Sequence, residues 1–144
     1  MPFDTKQAGG APVRAPDGSE VDVLCRTGRG SMARFSLPAG AVSRPVAHHT
    51  VEELWCFVSG RGRMWRRLGE QEDMIAVQAG TSISLPAGTR FQFRCDGDEP
   101  LVAIGVTMPP WPGEAEAYAV DGRWEPTLQG SAGHHPPGAT ATEA

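Results

Sequence analysis

The sequence lacks both an excess of basic residues and a long apolar segment. Its 144 residues include 13 Lys and Arg against 17 Asp and Glu, a formal net charge of −4, whereas nucleic-acid phosphates favour a basic surface. No apolar run approaches the roughly 20 residues of a membrane-spanning helix, and the first ten residues contain no signal-peptide core. We therefore expect a cytoplasmic protein without a nucleic-acid or membrane partner.

Cysteine is scarce. The three cysteines, Cys25, Cys56 and Cys95, are far apart and form no Cys-x-x-Cys pair. This spacing excludes a zinc ribbon and a thioredoxin-type redox site. An odd number of separated cysteines is typical of reduced thiols in a cytosolic protein.

Helical periodicity is also absent, since no segment repeats apolar residues at i, i+3, i+4 and i+7 over ten or more positions. The 18 Gly and 13 Pro favour turns, and short apolar segments alternate with them. The predicted strands are Val21–Leu24, Ser31–Leu37, Glu53–Val58, Gly62–Arg67, Ile75–Val77, Ser82–Leu85, Phe91–Arg94 and Leu101–Met108. Eight short strands at even spacing predict an all-β sandwich or barrel, with helix limited to a turn or two near Glu114–Tyr118.

The length is typical of one domain. Residues 1–18 are rich in Gly, Pro and polar side chains, which predicts a flexible N-terminal arm. Residues 19–126 form the predicted barrel with a C-terminal strap. Residues 127–144 have the composition of a disordered tail, and we assign no site to the two histidines within it, His134 and His135.

Two of the predicted strands, around residues 54–58 and 101–106, are apolar on both faces. A half-solvated antiparallel strand would instead alternate apolar and polar residues. One face can line the barrel interior, but the other needs cover from the chain termini or from a second subunit. We therefore predict a homodimer that packs such faces together.

The strongest signal for a functional site is a group of His48, His49 and Glu53 directly before an apolar strand that ends at Gly60. Imidazole and carboxylate groups at the entrance of a β-barrel are the ligands from which proteins build metal sites. The candidate metal ligands are therefore His48, His49 and Glu53.

These residues resemble the first motif of the cupin superfamily. In that motif a His-x-His pair is followed after three or four residues by Glu and, six residues later, by Gly. Glu53 and Gly60 match its second half, and His49 or His48 takes the second histidine position, depending on the spacing.

The second cupin motif is matched at Gly80, Pro86 and Gly88, with the intervals Gly-x5-Pro-x-Gly, after a linker of 19 residues at 61–79. The resemblance covers roughly residues 32–108. It implies a single-domain double-stranded β-helix, or jelly-roll, barrel.

A complete cupin site has three imidazoles and one carboxylate, and this chain departs from that set. Alanine or valine takes the first histidine position, and Phe91 takes that of the second motif. Neighbouring residues on a strand point to opposite faces, so His48 and His49 should not both reach one ion beside Glu53. We therefore expect no metal cofactor; if one binds, the resemblance implies divalent Fe, Ni, Mn or Zn.

The first functional hypothesis is a barrel that binds a small molecule in an aromatic cavity, with two arginines available to hold a carboxylate. The predicted pocket residues are Arg34, Trp55, Phe57, Arg90, Phe91 and Phe93. The alternative is an enzyme. It would be either a metal-dependent oxygenase or isomerase, as many cupins are, or a metal-free isomerase or cyclase with His49 and Glu53 as its catalytic acid–base pair. A third hypothesis is a purely structural or dimerisation module.

Overall fold

The computed structural model describes residues 3–129; most of the predicted tail, with His134 and His135, lies outside the described residues. The described chain forms eleven strands and one 3₁₀ turn, Glu114–Glu116. The strands are β1 Val13–Arg14, β2 Glu20–Arg26, β3 Ser31–Leu37, β4 Val46–His48, β5 Glu52–Ser59, β6 Arg61–Leu68, β7 Gln71–Gln78, β8 Ser82–Leu85, β9 Arg90–Cys95, β10 Leu101–Met108 and β11 Ala117–Ala119. The prediction of an all-β domain is confirmed. Within residues 3–129 no helix has the length and apolar character needed to cross a membrane.

The strands form two antiparallel sheets that enclose the core. One sheet has six strands in the order β1-β2-β3-β10-β5-β8, and the other has five in the order β11-β4-β9-β6-β7. Large apolar side chains from both sheets meet between them, among them Leu37, Phe57, Met64 and Phe93. Strands such as β5 and β8 contribute alternate residues to this interior, as a two-residue side-chain period requires.

Three predicted strands have the observed bounds, and each of the other five extends beyond its predicted bounds at both ends. Sequence reasoning missed β1, β4 and β11, each only two or three residues long. Such segments are too short to show an alternating pattern. Their position is set by pairing with longer neighbours instead.

We call residues 109–129 the C-terminal strap, and its segment around Arg123 and Trp124 covers part of the outer face of the five-stranded sheet. Gln92, fully buried on β9, fastens it. The Gln92 amide nitrogen donates to the carbonyls of Ser43 (2.9 Å) and Trp124 (2.8 Å), and its oxygen accepts from the backbone N–H groups of Arg123 and Trp124. All four hydrogen-bonding positions of this amide are therefore used. We call this side of the molecule the covered face.

The outer face of the six-stranded sheet is contacted by the N-terminal arm at β2, where Gly9 N donates to Asp22 Oδ2 at 2.6 Å, but its β5 side chains remain exposed. On β5, Trp55 and Phe57 point inward and are buried, while Leu54 and Val58 are 53% and 47% exposed. Cys56 lies between them and is also exposed. We call this surface, formed by Leu54, Cys56 and Val58, the bare face.

Part of the predicted N-terminal arm packs at the edge of the six-stranded sheet. Val13–Arg14 pairs with β2, and the Asp17 carbonyl accepts a hydrogen bond from Arg44 N at 2.8 Å. Of the residues predicted as tail, Thr127 donates its N–H to Val42 O, and Leu128 packs against the core. Both ends of the described chain therefore contact the barrel.

Candidate functional site

The site begins with Glu53, the first inward-pointing residue of β5. It lies between Thr107 on β10 and Leu85 on β8 and is only 3% exposed. A buried carboxylate is costly unless it is paired or hydrogen-bonded. Its position at one end of the barrel interior therefore requires specific partners.

Both oxygens of Glu53 have a partner. Trp55 Nε1 donates to Oε1 at 2.7 Å, and His48 Nδ1 lies 2.8 Å from Oε2. Since a carboxylate oxygen accepts from a ring N–H, His48 donates to Glu53 through Nδ1. No residue of the described chain hydrogen-bonds to the other ring nitrogen, Nε2, which is an acceptor in the imidazole tautomer with its proton on Nδ1. The arrangement is a carboxylate–imidazole pair with one ring nitrogen available to a ligand.

Packing fixes the position of the His48 ring. His48 is 8% exposed, and its ring meets Phe91 and Trp111 edge-on, with centroids 5.4 and 5.0 Å away. Its carbonyl accepts from Gly88 N at 3.0 Å. The imidazole is therefore held against Glu53 by two aromatic rings and by its own backbone.

His49 lies elsewhere. It is exposed and stacks on Tyr118 with ring centroids 4.4 Å apart. The predicted pair of His49 and Glu53 is corrected: it is the neighbouring His48 that contacts Glu53. The expectation that the two histidines point to opposite sides agrees with the structure, and the loop between β4 and β5 determines which of them faces inward.

That loop is held by Glu116, which sequence reasoning did not select. Its carboxylate accepts hydrogen bonds from Thr50 N (2.5 Å), Val51 N (2.7 Å) and Thr50 Oγ1 (2.8 Å). Partial burial by itself raises the pKa of Glu116, but these hydrogen bonds outweigh it and hold the pKa below its ordinary value. An ionised Glu116 therefore fixes the segment between His48 and Glu53.

A cavity of about 240 Å³ opens beside this pair. Trp55 and Phe91, two of the predicted pocket residues, line it, whereas Phe57 and Phe93 lie in the buried core. The wall is mainly apolar, as in most small-molecule sites.

The two predicted arginines do not reach the cavity, which corrects their assignment. Arg34 is exposed because Phe35, its neighbour on β3, points inward, and adjacent residues on a strand face opposite sides. Arg90 is exposed as well and lines a shallow groove under the C-terminal strap. Neither arginine can hold a carboxylate inside the barrel.

An aromatic stack forms one wall of the cavity. Phe35 stacks on Trp55 with centroids 4.8 Å apart and planes 24° apart. Gly105 on β10 makes room for this stack, because a Cβ at that position would lie 2.6 Å from Phe35 and 2.8 Å from Trp55. Position 105 must therefore lack a side chain for the two rings to stack in this arrangement.

Asp17 is the second residue that sequence reasoning missed. It lines the cavity, is 5% exposed, and its Oδ1 accepts from Ser19 N (2.9 Å) and Ser19 Oγ (2.6 Å). Burial raises the pKa of Asp17 above its ordinary value, against the lowering effect of the Ser19 hydrogen bonds. Asp17-Gly18-Ser19 reads as an ordinary turn, so nothing in the sequence marked it as part of a site.

Comparisons with known proteins identify the fold. The family model described as "Cupin domain" matches residues 33–107, and no curated protein matches the chain. The structure of oxalate decarboxylase from Bacillus subtilis is similar, with a TM-score of 0.65 and 19% identity over 76% of this chain. The chain spans only 29% of that protein's length.

Two further solved structures are similar. One is an uncharacterized conserved protein with a double-stranded β-helix domain from Klebsiella pneumoniae, with a TM-score of 0.59 and 18% identity over 82% of this chain and 91% of that one. The other is a capsular polysaccharide assembling protein from Staphylococcus aureus, with a TM-score of 0.61 and 19% identity over 78% and 35%. At these identities the similarity establishes the fold alone, and the predicted jelly-roll barrel is confirmed.

One structure of the decarboxylase is described by its Mn(II) centres, so the donor atoms here need the same test. Within residues 3–129 no group of three or more His, Cys, Asp and Glu side chains is placed to hold an ion. Both Glu53 oxygens already accept hydrogen bonds, and the Phe91 ring packs against His48 at the second-motif histidine position. The residues described do not fit a metal centre.

Proposed function

The chain belongs to the cupin family, and from that premise we propose that it binds one small organic molecule in the cavity beside His48 and Glu53. The observation that carries this proposal is the combination of an apolar wall with one polar corner. Apolar walls supply binding free energy, and a few fixed polar groups set orientation.

The size of the cavity limits the ligand. At about 240 Å³ it lies below the ~300–1,000 Å³ of typical ligand pockets. At ~30 Å³ per molecule it would hold on the order of eight waters. We therefore expect a ligand with a single ring or a short aliphatic chain.

The test is a thermal-shift and calorimetric screen of single-ring compounds, followed by Ala33→Leu. Ala33 lines the cavity, so the larger side chain should fill it and abolish binding. Arg34→Leu is the matched control, since the adjacent residue is exposed on the opposite face and its replacement should leave affinity unchanged. A screen that finds no ligand, or equal ligand affinity in both variants, would contradict the proposal and favour a structural module.

A second candidate function is metal-free acid–base catalysis on the bound molecule. The 2.8 Å contact between His48 Nδ1 and Glu53 supports it, because Glu53 can stabilise the imidazolium that forms when Nε2 accepts a proton. Such a base typically contributes ~10²–10⁴-fold in rate. Exchange of a ligand's acidic C–H proton with D₂O, followed by NMR, should fall by about 10²-fold in His48→Gln and stay unchanged in His49→Gln. Equal exchange in both variants would rule this function out.

We also propose that the protein works in the cytoplasm as a homodimer. Cys25, Cys56 and Cys95 are all free thiols, and free thiols persist in reducing compartments. The exposed Leu54 and Val58 support a second copy as the cover for the bare face, since a homodimer buries the same patch of each subunit.

A further inference from the structure

The Asp17 carboxylate is only half occupied by protein partners. Its Oδ1 accepts both hydrogen bonds from Ser19, whereas no residue of the described chain donates to Oδ2. The side chain is nevertheless buried and lines the cavity. A carboxylate oxygen with no donor from the described chain can accept a hydrogen bond from a molecule in the cavity.

The buried charged groups of the cavity wall are mainly acidic. Asp17 and Glu53 are buried carboxylates, and the other charged residues in the lining, Arg14, Arg26 and Glu114, are exposed. Arg14 directs its guanidinium toward two backbone carbonyls, those of Gly18 and Gln129. Among the buried residues of the lining, His48 is the one basic side chain, and it is paired with Glu53.

Aromatic rings form much of the remaining wall, with Phe35, Trp55, Phe91 and Trp111 all in the lining. The face of an aromatic ring carries negative charge density and attracts cations, most strongly when both are removed from water. Burial raises the pKa of Asp17, and a cation placed beside this carboxyl group would favour its ionised form, whereas an anion would not. With Glu53 and four aromatic rings in the same wall, the cavity suits a cation better than an anion.

We infer that the ligand is a small amine that carries its ammonium group beside Asp17 and its hydrocarbon part against the Phe35–Trp55 stack. This inference rests on the proposed function, because it assumes that the cavity binds a small organic molecule. The ammonium donates to Asp17 Oδ2 and, within reach of the same corner, to His48 Nε2. A carboxylate of the same size would instead lie beside two acidic side chains, Asp17 and Glu53.

Three compounds of nearly equal shape test this inference on the unmodified protein: benzylamine, benzyl alcohol and benzoate, titrated by isothermal calorimetry at neutral pH. A charge-assisted hydrogen bond and cation–π contacts together should give benzylamine about tenfold tighter binding than benzyl alcohol. Benzoate should bind most weakly of the three.

Asp17→Asn then removes the charge at nearly constant shape, and it should reduce the preference for benzylamine over benzyl alcohol to about one. Asp98→Asn makes the same chemical change in an exposed turn and should keep the tenfold preference. If Asp17→Asn does not fold, the three-compound series decides by itself.

Each outcome has a distinct meaning. Benzyl alcohol or benzoate binding as tightly as benzylamine would overturn the amine inference and leave the proposed function standing. Failure of all three compounds, together with an empty result from the wider screen, would overturn both. An amine preference that persists in Asp17→Asn would overturn the role of Asp17.

Discussion

The outer faces of the two sheets differ in the kind of side chains that they present. The covered face is closed by the chain's own strap through polar contacts: Gln92 binds three backbone groups of the strap and one of the barrel, and Arg94 and Arg63 lie 5.2 and 6.0 Å from the Trp124 ring. The bare face offers two apolar side chains and one thiol on β5, Leu54, Val58 and Cys56, and its polar neighbours on β8, Ser82 and Ser84, are also exposed.

The difference shows that buried polar contacts can form on a sheet when the covering segment belongs to the same chain, whereas a sheet without such a segment exposes apolar side chains. A segment of the same chain always meets the same partner, so buried hydrogen-bonding groups can be matched one to one. A surface without such a segment has no fixed donors to match, and apolar side chains are the least costly groups for a contact made by a second molecule. Three predictions test this comparison, in order of decreasing effect on the free energy of unfolding.

Gln92→Leu should have the largest effect, because it leaves two backbone N–H groups and two carbonyls under the strap without partners. We expect a loss of about 3 kcal/mol of unfolding free energy, given ~1–3 kcal/mol for each buried polar group left unsatisfied and partial access of water after the change. Urea denaturation followed by circular dichroism measures it. Gln78→Leu, at an exposed position of the same sheet, is the control and should lose less than about 0.5 kcal/mol; equal losses would mean that Gln92 does not fasten the strap.

Glu116→Gln should have an intermediate and pH-dependent effect. The hydrogen bonds from Thr50 and Val51 favour the ionised carboxylate, so we expect a loss of about 1.5 kcal/mol at neutral pH. Since the folded-state pKa of Glu116 lies below the unfolded value of 4.5, this stabilisation is complete above pH 4.5 and disappears as the pH falls through the lower folded-state pKa.

The measurement for Glu116 is the difference in unfolding free energy between the parent and the variant from neutral pH to acid. Glu125→Gln, an exposed strap residue, should show no such difference at any pH. A difference that stays constant into the acid range would show that packing, and not ionisation, gives Glu116 its effect.

Leu54→Lys combined with Val58→Lys should have the smallest effect on the unfolding of the individual barrel, less than about 0.5 kcal/mol for each exposed side chain. It should instead change assembly, because two charges on each copy prevent the bare faces from packing. Light scattering should give the mass of two chains for the parent and of one for the variant. Met74→Lys, an exposed apolar position on the other sheet, should stay dimeric, and a parent with the mass of one chain would refute the homodimer.

The sequence predicted those features of the fold and site that depend on the two-residue alternation of side chains along a strand. The inward positions of Trp55 and Phe57 follow from alternation along β5, and the same rule, counted from Phe35, would have placed Arg34 outside. The choice between His48 and His49 could not be made in this way, because residues 49–51 form a loop in which the alternation of faces is lost. The hydrogen bonds of Glu116 to that loop determine the choice, and they join residues 65 and 66 positions apart.

Asp17 and Gln92 were unpredictable for a related reason. Each is a polar residue in an unremarkable local sequence, and each becomes buried only because a distant part of the chain covers it. Sequence patterns describe a strand's own two faces, but not which terminal segment will pack on them. Sequence reasoning therefore found the site residues whose position follows from a single strand. It missed those whose burial depends on contacts with the terminal segments of the chain.

Gly105 has a consequence for how this barrel can diversify. Even alanine there would collide with Phe35 and Trp55, so the position is closed to single-step mutation as long as the aromatic stack is kept. A descendant of this protein that acquires a different ligand would have to begin by replacing one of the two rings. Such a replacement would make space for a side chain at position 105. The ring would therefore have to change first, and the glycine second.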